Sequence, residues 1–214
     1  MTIIDTHAAD KLRAAIDAGK LKSGSWGDGT HAVCMMSAMV SGAHNTQDCV
    51  TAGWPEWLAS LNVYLFDAKV GADDEEKTRA EFALRIAELV QTPRDYDKAR
   101  DLFLIRRLDD GEHSALKSLR VNPVDADWWR DCEAAIVRVT ELLRRRVDGD
   151  DVAKEMDAAY AAAARAAVRT YAAASAADAA DAAYAADADA DAARAAARAD
   201  LIAALEAAQI KGDE

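Results

Sequence analysis

The sequence predicts an all-α fold: a compact multi-helix bundle followed by a long alanine-rich helix. Three observations predict it. Apolar residues between punctuating Gly and Pro recur with a helical period. No run sustains the two-residue alternation of a half-buried strand. Residues 151–210 contain 32 alanines and neither Gly nor Pro, and alanine has the strongest helix propensity. Composition shifts at Asp150, which divides the chain into a bundle domain, 1–149, and an acidic arm, 150–214.

The elements follow in order. Asp5 and Thr6 are capping residues for a first helix that carries Leu12 and Ile16 one turn apart and stops at Gly19. A Gly/Ser loop holding Trp26 follows, and Asp28 or Thr30 caps a second helix over about 31–42, ending near Gly42. Pro55 suits the first turn of a third helix, with Trp54 and Trp57 stapling it to the core. Asp73 and Asp74 open a fourth, with Phe82, Ile86, Leu89 and Val90 on one face, and it must end before Pro93. The fifth, "DYDKARDLFLIRRLDDG", ends at Gly111, and a shorter helix covers 112–120. Asp125 caps a longer one that Gly149 closes.

A straight arm helix of residues 151–210 would span roughly 90 Å at 1.5 Å per residue. That exceeds the reach of its own bundle, whose radius of gyration is near 15 Å. The arm therefore bends near Ser175 or packs on another chain. Val152, Met156, Tyr160, Ala163, Ala167 and Tyr171 form one apolar stripe, and Leu201, Ile202, Leu205 and Ile210 form another. Only Tyr184 is large between them. Asp187, Asp191, Arg194 and Arg198 share a face as helical ion pairs.

Net charge is −12 and the isoelectric point about 4.8, a balance that repels nucleic-acid phosphates. The one dense basic run, Arg144 to Arg146, is placed at a helix C-terminus, where the dipole favours cations; phosphate binding is the competing reading. The N-terminus lacks the basic and apolar regions of a signal peptide. No stretch is long and uncharged enough to span a membrane. Three cysteines in no disulfide pattern point to a reducing, cytoplasmic setting. No phosphate-cradling Gly-rich loop is present. Trp128 and Trp129 could stack a base, or place one ring in the core and one at an interface.

The chemistry-bearing stretch is "HAVCMMSAMVSGAHNTQDC", His31 to Cys49. As a helix it buries Met35, Met36 and Met39 and leaves a narrow seam of Cys34, Ser37, Ala38 and Ser41. A zinc site from His31, Cys34, His44 and Cys49 is a second reading, although H-x2-C-x9-H-x4-C is not a zinc-finger spacing. A nucleophile is the third: Cys34, Ser37 or Cys49 with His31 or His44 as base. Burial would raise a thiol's pKa and oppose that role.

Cys34, Met36, Ala38 and Gly42, then Cys49, Val50 and Asn62, follow a Cys-x-Met-Glu-Ala … Gly … Cys-Val … Asn pattern. Thr78, Arg79, Ile86, Leu89, Val90 and Thr92 continue it. Over about residues 20–110 the chain resembles a group of small, uncharacterised helical proteins of actinobacteria and their phages. Ser37 replaces the pattern's glutamate, and the loop between the cysteines is shorter. The resemblance implies a common role for Cys34, Cys49 and Asn62, does not carry His31 or His44, and leaves the arm outside.

The expected function is that of a non-enzymatic binding protein of phage, prophage or actinobacterial origin. It would bind a small ligand, such as a nucleotide signal, or a host protein, as a counter-defence factor. The ligand candidates are Cys34, Ser37, His44, Asp48, Cys49 and Asn62. One alternative is a small hydrolase or transferase using Cys34 or Ser37 with His44. Another is a structural homo-oligomer assembled through Met156, Tyr160, Tyr171, Tyr184, Leu201 and Leu205. No catalytic residue, metal or cofactor is assigned, and neither a membrane nor a nucleic acid is an expected partner.

Overall fold

The computed structural model describes residues 6–22, 33–40, 43, 45–67, 75–121, 126–174 and 182–210; the side chains of 75 and 167–193 lie outside the description. Among these residues all regular secondary structure is helical, as the sequence predicts, apart from two isolated backbone bridges, Leu21 with Val33 and Arg94 with Gln209. The chain divides into two compact units. One is 1–100 together with 197–214, and the other is 101–196. The change of composition at Asp150 therefore falls inside the second unit, and the end of the arm belongs to the first.

The first unit contains α1 (Ala8–Asp17), α2 (Met35–Met39), α3 (Thr46–Thr51), α4 (Glu56–Asp67), α5 (Glu75–Leu89), the start of α6 (Tyr96–Ile105) and the end of α10 (Ala182–Ala207). Helix α1 ends as predicted: Gly19 takes φ +64°, and the amides of Gly19 and Lys20 close on the carbonyls of Ile16 and Ala15. Its Leu12 is fully buried, and α1 packs on α2 and α5. Helix α2 is shorter than the predicted span over 31–42. Residue Val33 is extended in the bridge to Leu21, and the helix starts only after Cys34. The segment between Gly42 and Trp54, to which no helix is assigned from the sequence, holds α3, because the Asn45 side chain accepts from the Asp48 amide at 3.0 Å and caps it. The core is Leu12, Met35, Met36, Met39, Leu58, Leu65, Phe66, Ile86, Leu201 and Leu205.

Two buried arginines tie helix ends in this unit. Leu89 closes α5, and four residues later stands Pro93, which has no amide to give its carbonyl. The Arg94 Nε donates to that carbonyl at 2.5 Å. Its other nitrogens donate to the Leu205 carbonyl near the end of α10 and to Thr92 Oγ1. Arg198 likewise donates to the Leu65 carbonyl near the end of α4, and its guanidinium lies over the Phe82 ring at 5.7 Å. A short backbone pairing completes the attachment: Asp95 N donates to Ala208 O at 3.1 Å, and Ile210 N to Pro93 O at 3.2 Å.

The second unit contains the rest of α6, a π-helical turn (Arg106–Asp110), α7 (Ala115–Val121), α8 (Asp127–Val147), α9 (Ala153–Ala174) and the first part of α10. Gly149, at φ +102°, ends α8 with the same two hydrogen bonds seen after α1. Helix α9 returns along α8, and Val139, Leu142 and Leu143 pack with Val152, Met156 and Ala159. Val152, Met156 and Ala163 of the first predicted arm stripe are thus packed inside their own unit. The bend expected near Ser175 falls on residues outside the described ones.

Candidate functional site

Helices α2 and α3 both pack on α4, and Cys34, Cys49 and Asn62 are all buried in the first unit, with Cys34 near enough to Cys49 to act on its charge. Cys34 is the N-cap of α2. Its Sγ accepts from the Ser37 amide at 3.4 Å, while Ser37 Oγ accepts from the Cys34 amide at 3.0 Å. This is a capping box, with Ser37 at the position that usually carries Glu or Gln. The Ser37 hydroxyl also donates to the Cys34 carbonyl at 3.2 Å, so its proton goes to the backbone and not to a base.

Cys49, on α3, has no exposed surface. Burial first, then the neighbouring Cys34 and Asp48, push its thiol up to about 11. The thiolate, the form that attacks, is thereby suppressed at neutral pH. Asp48 is half-buried beside it. Asn62 is fully buried, and neither its amide nitrogen nor its amide oxygen has a hydrogen-bond partner. The structure brings Cys34, Ser37, Asp48 and Cys49 into one region, and Asn62 is buried on α4, but Cys34, Cys49 and Asn62 are sealed: their exposures are 4%, 0% and 0%. His31 and His44 lie outside the described residues. Among the described residues no group of three or more His, Cys, Asp or Glu could hold a metal ion.

The interface candidates separate by burial. Met156, Leu201 and Leu205 are buried within the chain, at 2%, 0% and 0% exposure, so they present no seam to a second copy. Tyr160 is 43% exposed and reaches Arg146. The side chains of Tyr171 and Tyr184 lie outside the description. In the basic run, Arg144 meets Asp109 at 2.8 Å and Asp110 at 2.5 Å, Arg145 meets Asp150 and Glu155, and Arg146 grips the buried Asp101 through two bonds of 2.6 Å. All three cations are paired with carboxylates, as the reading of helix C-terminal placement allows. Trp128 and Trp129 meet edge to face at 5.3 Å, and both are half-buried.

An open cavity of about 410 Å³ lies elsewhere in the first unit, lined by Gly53, Pro55, Trp57, Arg94, Asp95, Tyr96, Asp97 and Ile210. The turn before α4 supplies one wall, with Gly53 at φ +95°. The turn before α6 supplies another, where Asp95 caps the helix through the Lys98 amide at 2.9 Å. Arg94 is 3% exposed, its three acceptors are uncharged, and among the described residues no carboxylate lies within ion-pair distance of it. Burial lowers its pKa. Tyr96 is 8% exposed, and burial pushes its phenol up to about 12. The Tyr96 hydroxyl and Trp57 Nε1 are buried in the wall without hydrogen-bond partners. Sequence reasoning missed this place. Trp57 read as a staple and Pro93 as a helix stop, and nothing in their spacing signals that the two turns meet.

Comparison with protein-family models, with curated proteins and with solved structures finds no match to this chain.

Proposed function

We propose that this chain is a non-enzymatic binding protein that holds a small ligand in the cavity between the turns before α4 and α6. One observation carries the reading: an open cavity of about 410 Å³ whose walls combine aromatic, cationic and carboxylate groups with unspent hydrogen-bond donors. Cavities of a few hundred Å³ with convergent polar groups are where small molecules bind. The sealed Cys34–Asn62 junction supports a structural role, since a ligand has no surface there to reach. The capped Ser37 and the suppressed Cys49 thiolate favour binding over hydrolysis or group transfer. The resemblance to proteins of actinobacteria and their phages supports a place in phage–host biology, where sequestering a small signal would counter defence.

The test is a thermal-shift and tryptophan-fluorescence screen of chemically diverse small molecules on the full chain. It is repeated on Ile210→Trp, which fills the mouth of the cavity at a residue 37% exposed. The expected result is at least one compound that saturates the native chain and loses at least tenfold in affinity on the filled variant. Compounds that bind both equally, or no saturable compound at all, would overturn the reading.

A further inference from the structure

We propose that the cavity selects a small zwitterion, an α-amino acid with an apolar side chain, its carboxylate turned to Arg94 and Tyr96 and its ammonium to Asp97. This rests on the ligand-binding reading above and names the ligand class. The charges of the cavity wall are sorted by depth. Arg94, almost wholly buried, is a cation among neutral acceptors, and in a low-dielectric wall such a cation draws an anion. A guanidinium carries more N–H donors than the three acceptors engage. The Tyr96 hydroxyl adds a donor with no partner, on a residue more than nine-tenths buried.

At the mouth the sign reverses. Asp95 and Asp97 are exposed; Asp95 is engaged as the cap of α6, and Asp97 is loosely paired with Arg100 at 3.4 Å. A phosphate would meet one cation and two carboxylates, so a nucleotide fits poorly. A ligand with both charges a few bonds apart fits both depths. Pro55, Trp57 and Ile210 supply apolar surface for its side chain. The Tyr96 hydroxyl and Trp57 Nε1 are themselves buried, so seating the carboxylate requires a small turn of a ring edge; the hydrogen bonds formed offset that cost.

The probes are L-phenylalanine and L-leucine, titrated by calorimetry into the full chain. Their controls are L-phenylalanine methyl ester, N-acetyl-L-phenylalanine and adenosine monophosphate. A free amino acid should bind saturably, and each blocked analogue should bind at least tenfold more weakly. The nucleotide should not bind. Tyr96→Phe should weaken the amino acid about threefold or more, and Asp97→Asn about tenfold while leaving N-acetyl-phenylalanine unchanged. Ester or N-acetyl compound binding as tightly as the parent would overturn the assignment, as would nucleotide binding. If other compounds saturate the cavity and lose affinity on Ile210→Trp while no amino acid does, the ligand class falls and the binding reading stands. If nothing saturates, both fall.

Discussion

Replacing Arg94 with methionine tests the contact that fastens the end of the arm. The Leu89 carbonyl has no amide partner because Pro93 stands four residues on, and the Leu205 carbonyl receives none from Gln209, whose amide turns to Glu206. Arg94 supplies both. Methionine fills most of the same volume but donates nothing, so two buried acceptors lose their charged donor. Thr92 Oγ1 still reaches Leu89 at 3.3 Å and softens one loss. At about 1–3 kcal/mol for each stranded group, less the gain from burying an apolar chain in place of a cation, Arg94→Met should cost about 2–4 kcal/mol. For a chain of this size that is roughly 5–15 °C in Tm. Urea unfolding reads the energy. Limited trypsin digestion reads the location, through faster cleavage at Arg194 and Arg198 as the segment from Ala197 onward loosens. A variant within about 0.5 kcal/mol of the native chain, or one with an unchanged digestion pattern, would refute the two-helix tie.

Three further outcomes follow from the same geometry. Asn62→Leu should stabilise by about 1–3 kcal/mol in thermal or urea unfolding, because it removes two unpartnered amide atoms from the core; a loss of stability would mean that the amide is hydrogen-bonded in solution. Asp101→Asn should cost about 2–3 kcal/mol, since it weakens a two-pronged bond to Arg146 whose carboxylate side chain is only 4% exposed; the discount reflects Arg146, one third exposed and able to turn to water. Cys49 titrates from an ordinary 9.0 in the unfolded chain to about 11 in the folded one. Above pH 9 the unfolded chain releases that proton first, so stability falls as pH rises and the contribution is gone by about 11, a loss of about 2–3 kcal/mol. Unfolding between pH 8 and 11 should therefore fall more steeply for the native chain than for Cys49→Ala, and parallel curves would refute it.

Much of the first unit was legible. Gly19, Pro55 and Pro93 punctuate the helices where expected, because these residues act through their own backbone geometry. The stretch from His31 to Cys49 was legible in its apolar content and not in its shape. Met35, Met36 and Met39 are buried as predicted, but Cys34 caps where an interior helical residue was expected, and Asn45 starts a helix in a segment to which none is assigned from the sequence. Each depends on one side chain turning to a nearby amide, a choice that periodicity does not record. The candidate site was the least legible part. Trp57, Arg94, Tyr96 and Ile210 are far apart in sequence, and only folding makes them one wall.

By itself the sequence determined that the chain is helical, that Met35, Met36 and Met39 face the core, and that Gly19, Pro93 and Gly149 bound helices. Those are local matters of propensity, period and punctuation. It also determined that a 60-residue helix, roughly 90 Å long, was too long to stay straight over its own bundle. The tertiary structure decided where the arm goes. Val152, Met156 and Ala159, with Ala163 beside them, pack on α8, and the arm's last turns are fastened to the first unit by Arg94 and by the pairing of 93–95 with 208–210. The reason is the hydrogen-bond demand of helix ends. Carbonyls left over at Leu89 and Leu205 needed a buried donor, and Arg94 supplied it, to Leu205 from a distant point of the chain, as Arg198 does for the Leu65 carbonyl near the end of α4.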